Sequence, residues 1–188
     1  MDNLTWLIIQ TCWVIFLVYW VVKAFDVKRT AIDRGNPKLR LFLTLLVLLV
    51  IIFQPFRSTF FNNQLWKPML TLDLLADIIV ITGLVFAITA RFTLGSNWSP
   101  HTVLKQGQEL IENGPYAIVR HPIYTGILFM AIGTTIRIDQ IFGFVLLVLV
   151  CLVLWSKILS EEKLMQEHFP KQYQVYRQHV KAIIPFIF

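Results

Sequence analysis

The sequence predicts an all-α integral membrane protein of about five transmembrane helices, with a cytoplasmic loop and a helical C-terminal tail forming a site at one end. Three observations carry this. Of the 188 residues 56% are hydrophobic and 15% charged, where a soluble domain has about a quarter charged. The charges fall between long apolar runs. Fourteen of the 17 lysines and arginines lie in every second connection, the asymmetry that sets orientation in a bilayer.

The first span is Leu4 to Val22. Asp2 precedes it and Lys23, Lys28 and Arg29 follow it, the reverse of a cleaved secretory signal. The second is Leu41 to Phe56. The third charge-free run, Ile78 to Ala90, is too short for a core that takes roughly 20 residues, so it extends to Leu70–Leu94. That places Asp73 and Asp77 one turn apart near one end. From Gly95 to Pro122 the chain turns polar, with turn signals at Gln106-Gly107 and Asn113-Gly114-Pro115; residues 101–105 and 108–112 read as two extended pieces around a tight turn. Pro122 to Ile136 and Gln140 to Ser156 form the last two spans. The short break between them forces an antiparallel hairpin.

Beyond it, Leu164, Met165, Phe169, Tyr173 and Tyr176 recur at helical spacing, and Pro170 starts a second tail helix. The whole reads as one domain, 1–188, with two N-terminal spans in 1–69 and a three-span catalytic part in 70–188. The basic loops put 91–121 and the tail in the cytoplasm and the N-terminus outside. The short spans suit a prokaryotic inner membrane. The net charge of +6 does not indicate nucleic acid, which needs a basic face or interleaved aromatics. Cys12 and Cys151 sit inside apolar runs without partners at ligand spacing, so no disulfide framework and no metal site is expected.

Chemistry concentrates at two places. Arg120-His121-Pro122-Ile123-Tyr124-Thr125-Gly126 stands where the polar loop meets the fourth span. Arg120 costs about 2.5–3.5 kcal/mol if it enters hydrocarbon, so it faces a wet cavity or the interface. Pro122 suits a first helical turn, whose free amides favour an anion. The bland alternative is anchoring to lipid phosphates. Glu161-Glu162 follows the fifth span. The hairpin returns Arg120 and Glu162 to one end of adjacent helices, so a cationic cluster and a carboxylate converge. Glu162 is preferred over Glu161 because it lies two turns after Trp155 on the same helical face.

The run Gly-Pro-Tyr-Ala-Ile-Val-Arg-His-Pro-Ile-Tyr-Thr-Gly (114–126), then Glu161-Glu162-Lys-Leu, Phe169, Tyr173, Tyr176 and Pro185-Phe186, resembles the isoprenylcysteine carboxyl methyltransferase family of membrane methyltransferases. Leu94-Gly-Ser-Asn-Trp-Ser99 also fits. The match covers residues 91–188. The resemblance implies S-adenosyl-L-methionine as cofactor, held between the last hairpin, the preceding loop and the tail. It assigns Arg120, His121, Tyr124, Glu161 and Glu162 to the cofactor site, with Arg120, His121 and Glu162 as its working core. Tyr116, Tyr124 or Phe169 would line an adenine slot. His179, with Arg177 and Lys181 beside it, occupies the stretch where the family's eukaryotic members are expected to place an arginine serving the substrate carboxylate, a departure that bears on the prenylcysteine acceptor. Gly126 and Gly133 leave either a groove for an acceptor tail or a close helix contact, and Trp155 joins Gly126, Arg177 and His179 as a substrate-side candidate.

Methyl transfer to a carboxylate needs alignment and desolvation, not a metal or a general base. The leading reading is methylation of a prenylated cysteine carboxylate reached from the lipid bilayer. Other readings are a phospholipid amine or lipophilic thiol acceptor, with His121 or Glu161 as base, an NADPH-dependent enzyme like the distantly similar sterol reductases, and a non-enzymatic helical scaffold or channel.

Overall fold

A computed structural model of the chain describes residues 2–23, 30–33, 64–67, 69–98 and 103–184. Its elements are α1 (Asp2–Lys23), β1 (Thr30–Asp33), α2 (Leu70–Leu94), β2 (Val103–Lys105), α3 (Pro122–Ile138), α4 (Ile141–His168) and α5 (Pro170–His179), with single 3-10 turns at Gly95–Asn97 and Gly114–Ala117. The helices α1, α2 and α4 are long and apolar enough to cross a membrane, and α3 is a shorter apolar helix. The span expected at 41–56 lies outside the described residues.

Apolar side chains point outward along all three long helices: Leu7, Leu17 and Val21 on α1, Ile78 and Val85 on α2, Val148 and Leu152 on α4 are exposed. Apolar surface this extensive requires a lipid solvent. The chain is an integral, multi-pass membrane protein.

Two helices end where the sequence says. The extended third span coincides with α2, and Pro170 opens α5. The fourth span runs two residues further than expected, so the hairpin turn shrinks to Asp139 and Gln140. Asp139 closes it in the left-handed region at φ 53°, and its carboxylate accepts the backbone N–H of Leu65 at 3.1 Å and of Trp66 at 3.0 Å. The fifth span and the first tail helix are one uninterrupted helix, α4, of 28 residues. Residues 103–105 are extended as expected, but their partner is not 108–112. They pair antiparallel with Thr30–Asp33, a small exception to an all-helical chain among the described residues.

Packing between α2 and α3 is set by glycine. A Cβ on Gly126 would meet Gly83 O at 2.6 Å, and one on Gly133 would meet Ala76 O at 2.6 Å. Small residues let the two backbones touch, the usual basis of helix association where lipid is as apolar as the side chains. Gly126 is therefore a helix contact, not part of a groove for an acceptor tail. Against this pair α1 lays Ile9, Cys12 and Phe16, which bury with Val80, Leu84, Ala87 and Met130. At one end of the bundle Trp13 donates to Thr134 Oγ1 at 3.1 Å, and Arg137 reaches Thr5 Oγ1 at 3.0 Å and Asp73 at 3.7 Å. The opposite end holds the site.

Candidate functional site

Three strands of chain meet at the Arg-His-Pro segment. Its backbone is held by the tail, since Arg120 N–H donates to Lys181 O at 2.8 Å and His121 N–H to Ala182 O at 3.0 Å. Thr125 Oγ1 reaches on to Ile183 O at 2.8 Å. Pro122 then starts α3 at a position where its missing N–H costs nothing. The hairpin brings the end of α4 alongside.

Arg120 is buried and forks onto a single carboxylate oxygen: Nε and Nη2 donate to Glu162 Oε1 at 3.0 and 2.5 Å. Its Nη1 donates to Val180 O and, at 3.4 Å, to Arg177 O. His121 Nε2 stands 3.4 Å from the same Glu162 oxygen but is not aligned for a hydrogen bond. Its Nδ1 is 3.7 Å from Glu161 Oε2, and its ring stacks on Tyr124 at 5.7 Å. Tyr124 donates to Glu161 Oε1 at 2.5 Å, and Lys157 approaches that oxygen to 3.8 Å. Charge-assisted contacts of this kind fix side chains that would otherwise be costly to bury.

These groups form one wall of a chamber of about 480 Å³, within the roughly 300–1,000 Å³ of small-molecule sites. Tyr116, Arg120, His121, Tyr124, Lys157 and Glu161 face into it. The opposite wall is apolar and aromatic: Phe16 and Trp20 from α1, Leu94 and Trp98 from the end of α2. Phe16 and Trp20 stack with ring centroids 4.0 Å apart. Tyr173 and Tyr176 of α5 close the far side, and Tyr176 donates to Tyr116 O at 2.6 Å. Burial, and then the charge of Glu161, pushes the Tyr116 phenol well above its ordinary value. Burial does the same for Tyr173, reinforced by Glu162, and for Tyr176, reinforced by Tyr173. All three are neutral donors at physiological pH.

The two carboxylates take different places. Glu162 is buried behind the wall and holds Arg120, whereas Glu161 faces the chamber. Glu162 does face inward, but with Leu154 and Ile158 and not with Trp155, which is 43% exposed. At 100° per residue Leu154, Ile158 and Glu162 span an arc of about 80°, and Trp155, only about 20° beyond Glu162, falls just past the edge of that buried face. Trp155 belongs to the lipid-facing side. Phe169 does not reach the chamber; it borders a second, more open cavity of about 450 Å³ with Gln108, Glu109, Glu112 and Gln172. Arg177 is half-exposed and lies 3.7 Å from Glu162 Oε2, on the side away from the chamber. His179 is exposed and its Nδ1 lies 2.9 Å from Val175 O in its own helix, so it is not placed to meet a ligand.

Lys157, Phe16 and Trp20 are chamber residues that sequence reasoning missed. Signals for them existed: Lys157 stands one turn before Glu161, and Phe16 and Trp20 are an i,i+4 aromatic pair. The chemistry of the set suits a zwitterionic, aromatic ligand: an arginine, a lysine and a helix start for a carboxylate, Glu161 for an ammonium or hydroxyls, and flat apolar walls for a base.

A family model described as Phospholipid methyltransferase matches residues 72–172, a stretch that holds Arg120, His121, Tyr124, Lys157, Glu161 and Glu162. The chain is 30% identical over 112 residues to protein-S-isoprenylcysteine O-methyltransferase B of Arabidopsis thaliana, covering 57% of this chain and 56% of that one. It is 33% identical over 105 residues to the Schizosaccharomyces pombe protein-S-isoprenylcysteine O-methyltransferase (53% and 43%), and 32% identical over 133 residues to that of Rattus norvegicus (67% and 46%). The chain thus spans about half the length of the curated relatives it matches. Among solved structures, the eukaryotic intramembrane Ras methyltransferase ICMT superposes with a TM-score of 0.57 at 24% identity, covering 84% of this chain and 55% of that one. The α3–α4 hairpin and the acidic-basic cluster lie inside residues 72–172, and the chain belongs to the phospholipid methyltransferase family, with the fold of the isoprenylcysteine carboxyl methyltransferases.

Proposed function

We propose that the chain is an S-adenosyl-L-methionine-dependent methyltransferase acting on a lipophilic acceptor, in the first instance the carboxylate of a prenylated cysteine. The observation that carries this is the chamber: Arg120, held from behind by Glu162, and the Tyr124–Glu161 bond face an aromatic wall at the ends of adjacent antiparallel helices. When bound, the cofactor supplies an electrophilic methyl group on a sulfonium. The start of α3 with Arg120 and His121 suits its carboxylate, Glu161 its ammonium or ribose hydroxyls, and Trp98, Trp20 or Tyr116 its base.

A carboxylate acceptor is ionised at pH 7, so the protein's task is to hold and align it in a dry site. Lys157, a chamber-wall cation outside the buried Arg120–Glu162 pair, takes in this reading the role of orienting the acceptor carboxylate that the tail was expected to supply. A long apolar tail stays in lipid, where each further buried CH₂ contributes about 0.8 kcal/mol. The basic asymmetry of the loops supports a site facing the cytoplasm.

The description of the matching family favours a second acceptor, a phospholipid. Both readings require the same cofactor. Purified chain is expected to gain thermal stability with S-adenosylhomocysteine and none with NADPH, and to methylate farnesyl- or geranylgeranyl-cysteine analogues better than short-chain thioethers bearing the same carboxylate. Methylation of a phospholipid amine alone overturns the prenylcysteine reading; stabilisation by NADPH alone overturns the methyltransferase.

A further inference from the structure

Among the described residues Arg91 is the largest fully buried side chain, only 1% exposed, and it sits at the chamber end of α2, though not in the chamber wall. Its guanidinium spans three pieces of chain. Nη1 donates to Gly95 O at 2.6 Å, closing the end of α2 where Gly95 turns at φ 55°. Nη2 donates to Lys23 O at 2.8 Å, the last carbonyl of α1. The flat face lies over the Trp98 ring at 4.5 Å. A helix leaves its final carbonyls without partners and carries negative dipole character there, and here one cation serves the ends of two helices at once.

What those three pieces carry is the apolar wall of the chamber. Trp20, one turn before Lys23, and Phe16, one turn before that, come from α1; Leu94 and Asn97 flank Gly95; Trp98 is the stacked ring itself. On the reading that this chamber holds the methyl donor, we infer that Arg91 is a positioning residue that sets the distance between the α1 and α2 sides of the donor's slot. Lysine keeps the charge but has a single nitrogen and no planar face, so it cannot bridge two carbonyls and stack on indole together.

The test uses the full chain in detergent with Cys12 and Cys151 replaced by alanine. Spin labels at Val22→Cys and Phe92→Cys, both exposed near the clamp, report the separation of the two helix ends. The Arg91 chain is expected to give one narrow distance, and Arg91→Met a broadened one; an unchanged distribution overturns the inference. Titration with S-adenosylhomocysteine reads the consequence: Arg91→Met is expected to weaken binding about tenfold, in keeping with the cost of misplaced positioning groups. Ile9→Ala, a buried change two turns along α1 from Phe16 and outside the chamber wall, controls for lost stability alone. Affinity no lower in Arg91→Met than in Ile9→Ala overturns the positioning role. If Arg91→Met does not fold, Arg91→Lys is read in the same two ways. If the parent chain binds no S-adenosylhomocysteine, the donor reading fails and the distance measurement alone decides the clamp.

Discussion

Glu161 and Glu162 are adjacent on one helix, point about 100° apart and divide two tasks. Glu162 neutralises a buried arginine. Removing one partner of such a pair leaves an uncompensated charge at a cost of about 3–5 kcal/mol, so Glu162→Ala and Arg120→Ala are each expected to lower stability by that order and to weaken S-adenosylhomocysteine binding. Glu161→Gln should weaken binding while leaving unfolding nearly unchanged, because its partners are a phenol, a partly exposed lysine and, only at 3.7 Å, His121 Nδ1. Denaturant unfolding and isothermal titration on the same variants check both. The tyrosines give a pH dependence. Burial raises Tyr116, Tyr173 and Tyr176 above the ordinary value near 10, so the fold favours the neutral phenols. Their contribution is fully present below about pH 10 and is lost as pH rises beyond it. Thermal melts should be flat from pH 7 to pH 9 and fall steeply above pH 10. Tyr176→Phe, which strands Tyr116 O, should cost about 1–3 kcal/mol at pH 7 and soften the alkaline fall.

Where α2 crosses α3, backbone meets backbone. Gly126→Ala and Gly133→Ala each introduce a Cβ at 2.6 Å from a carbonyl oxygen, so overpacking should lower stability by about 1–3 kcal/mol, measured by thermal unfolding in detergent. Gly107→Ala, whose Cβ meets nothing within 4 Å, should cost only the strain of its positive φ. Spacing alone told that Gly126 and Gly133 share a face; it did not tell whether that face opens to lipid or closes on a neighbour, because both uses select for small residues. The hairpin was legible for a firmer reason. A short polar break between two apolar runs leaves only an antiparallel return, and this places Arg120 beside Glu162 whatever the packing details. The pairing of β1 with β2 was not, since strands this short carry too little alternation to name a partner far away in sequence. Arg91 read as one more loop cation, and only the meeting of α1 with α2 shows what it holds.

In the molecule as a whole, polar groups gather at two ends of an apolar bundle, one centred on Arg137 and Asp73, the other on Arg120 and Glu162. The basic asymmetry supports the proposal that the second faces the cytoplasm. In a background free of Cys12 and Cys151, Lys105→Cys and Lys171→Cys should resist an impermeant thiol reagent added to intact cells and react after lysis; labelling from outside reverses the orientation.

The uninterrupted run of α4 through the hairpin, the span and the acidic pair has a consequence of its own. At about 1.5 Å per residue, Glu161 stands roughly 30 Å along the axis from Ile141, the thickness of a typical hydrocarbon core. The helix is thus a depth gauge. Its first turn is moored by the Asp139 turn, and with Ile141 set at one boundary of such a core its carboxylates fall at the other. A thicker bilayer draws Lys157 and Glu161 into hydrocarbon unless the helix straightens upright, and a thinner one lifts the chamber clear of the lipid from which the proposed acceptor would enter. Turnover of a membrane-borne acceptor should accordingly pass through a maximum as the acyl chains of the host lipid are lengthened, with the optimum fixed by the rise of a single helix.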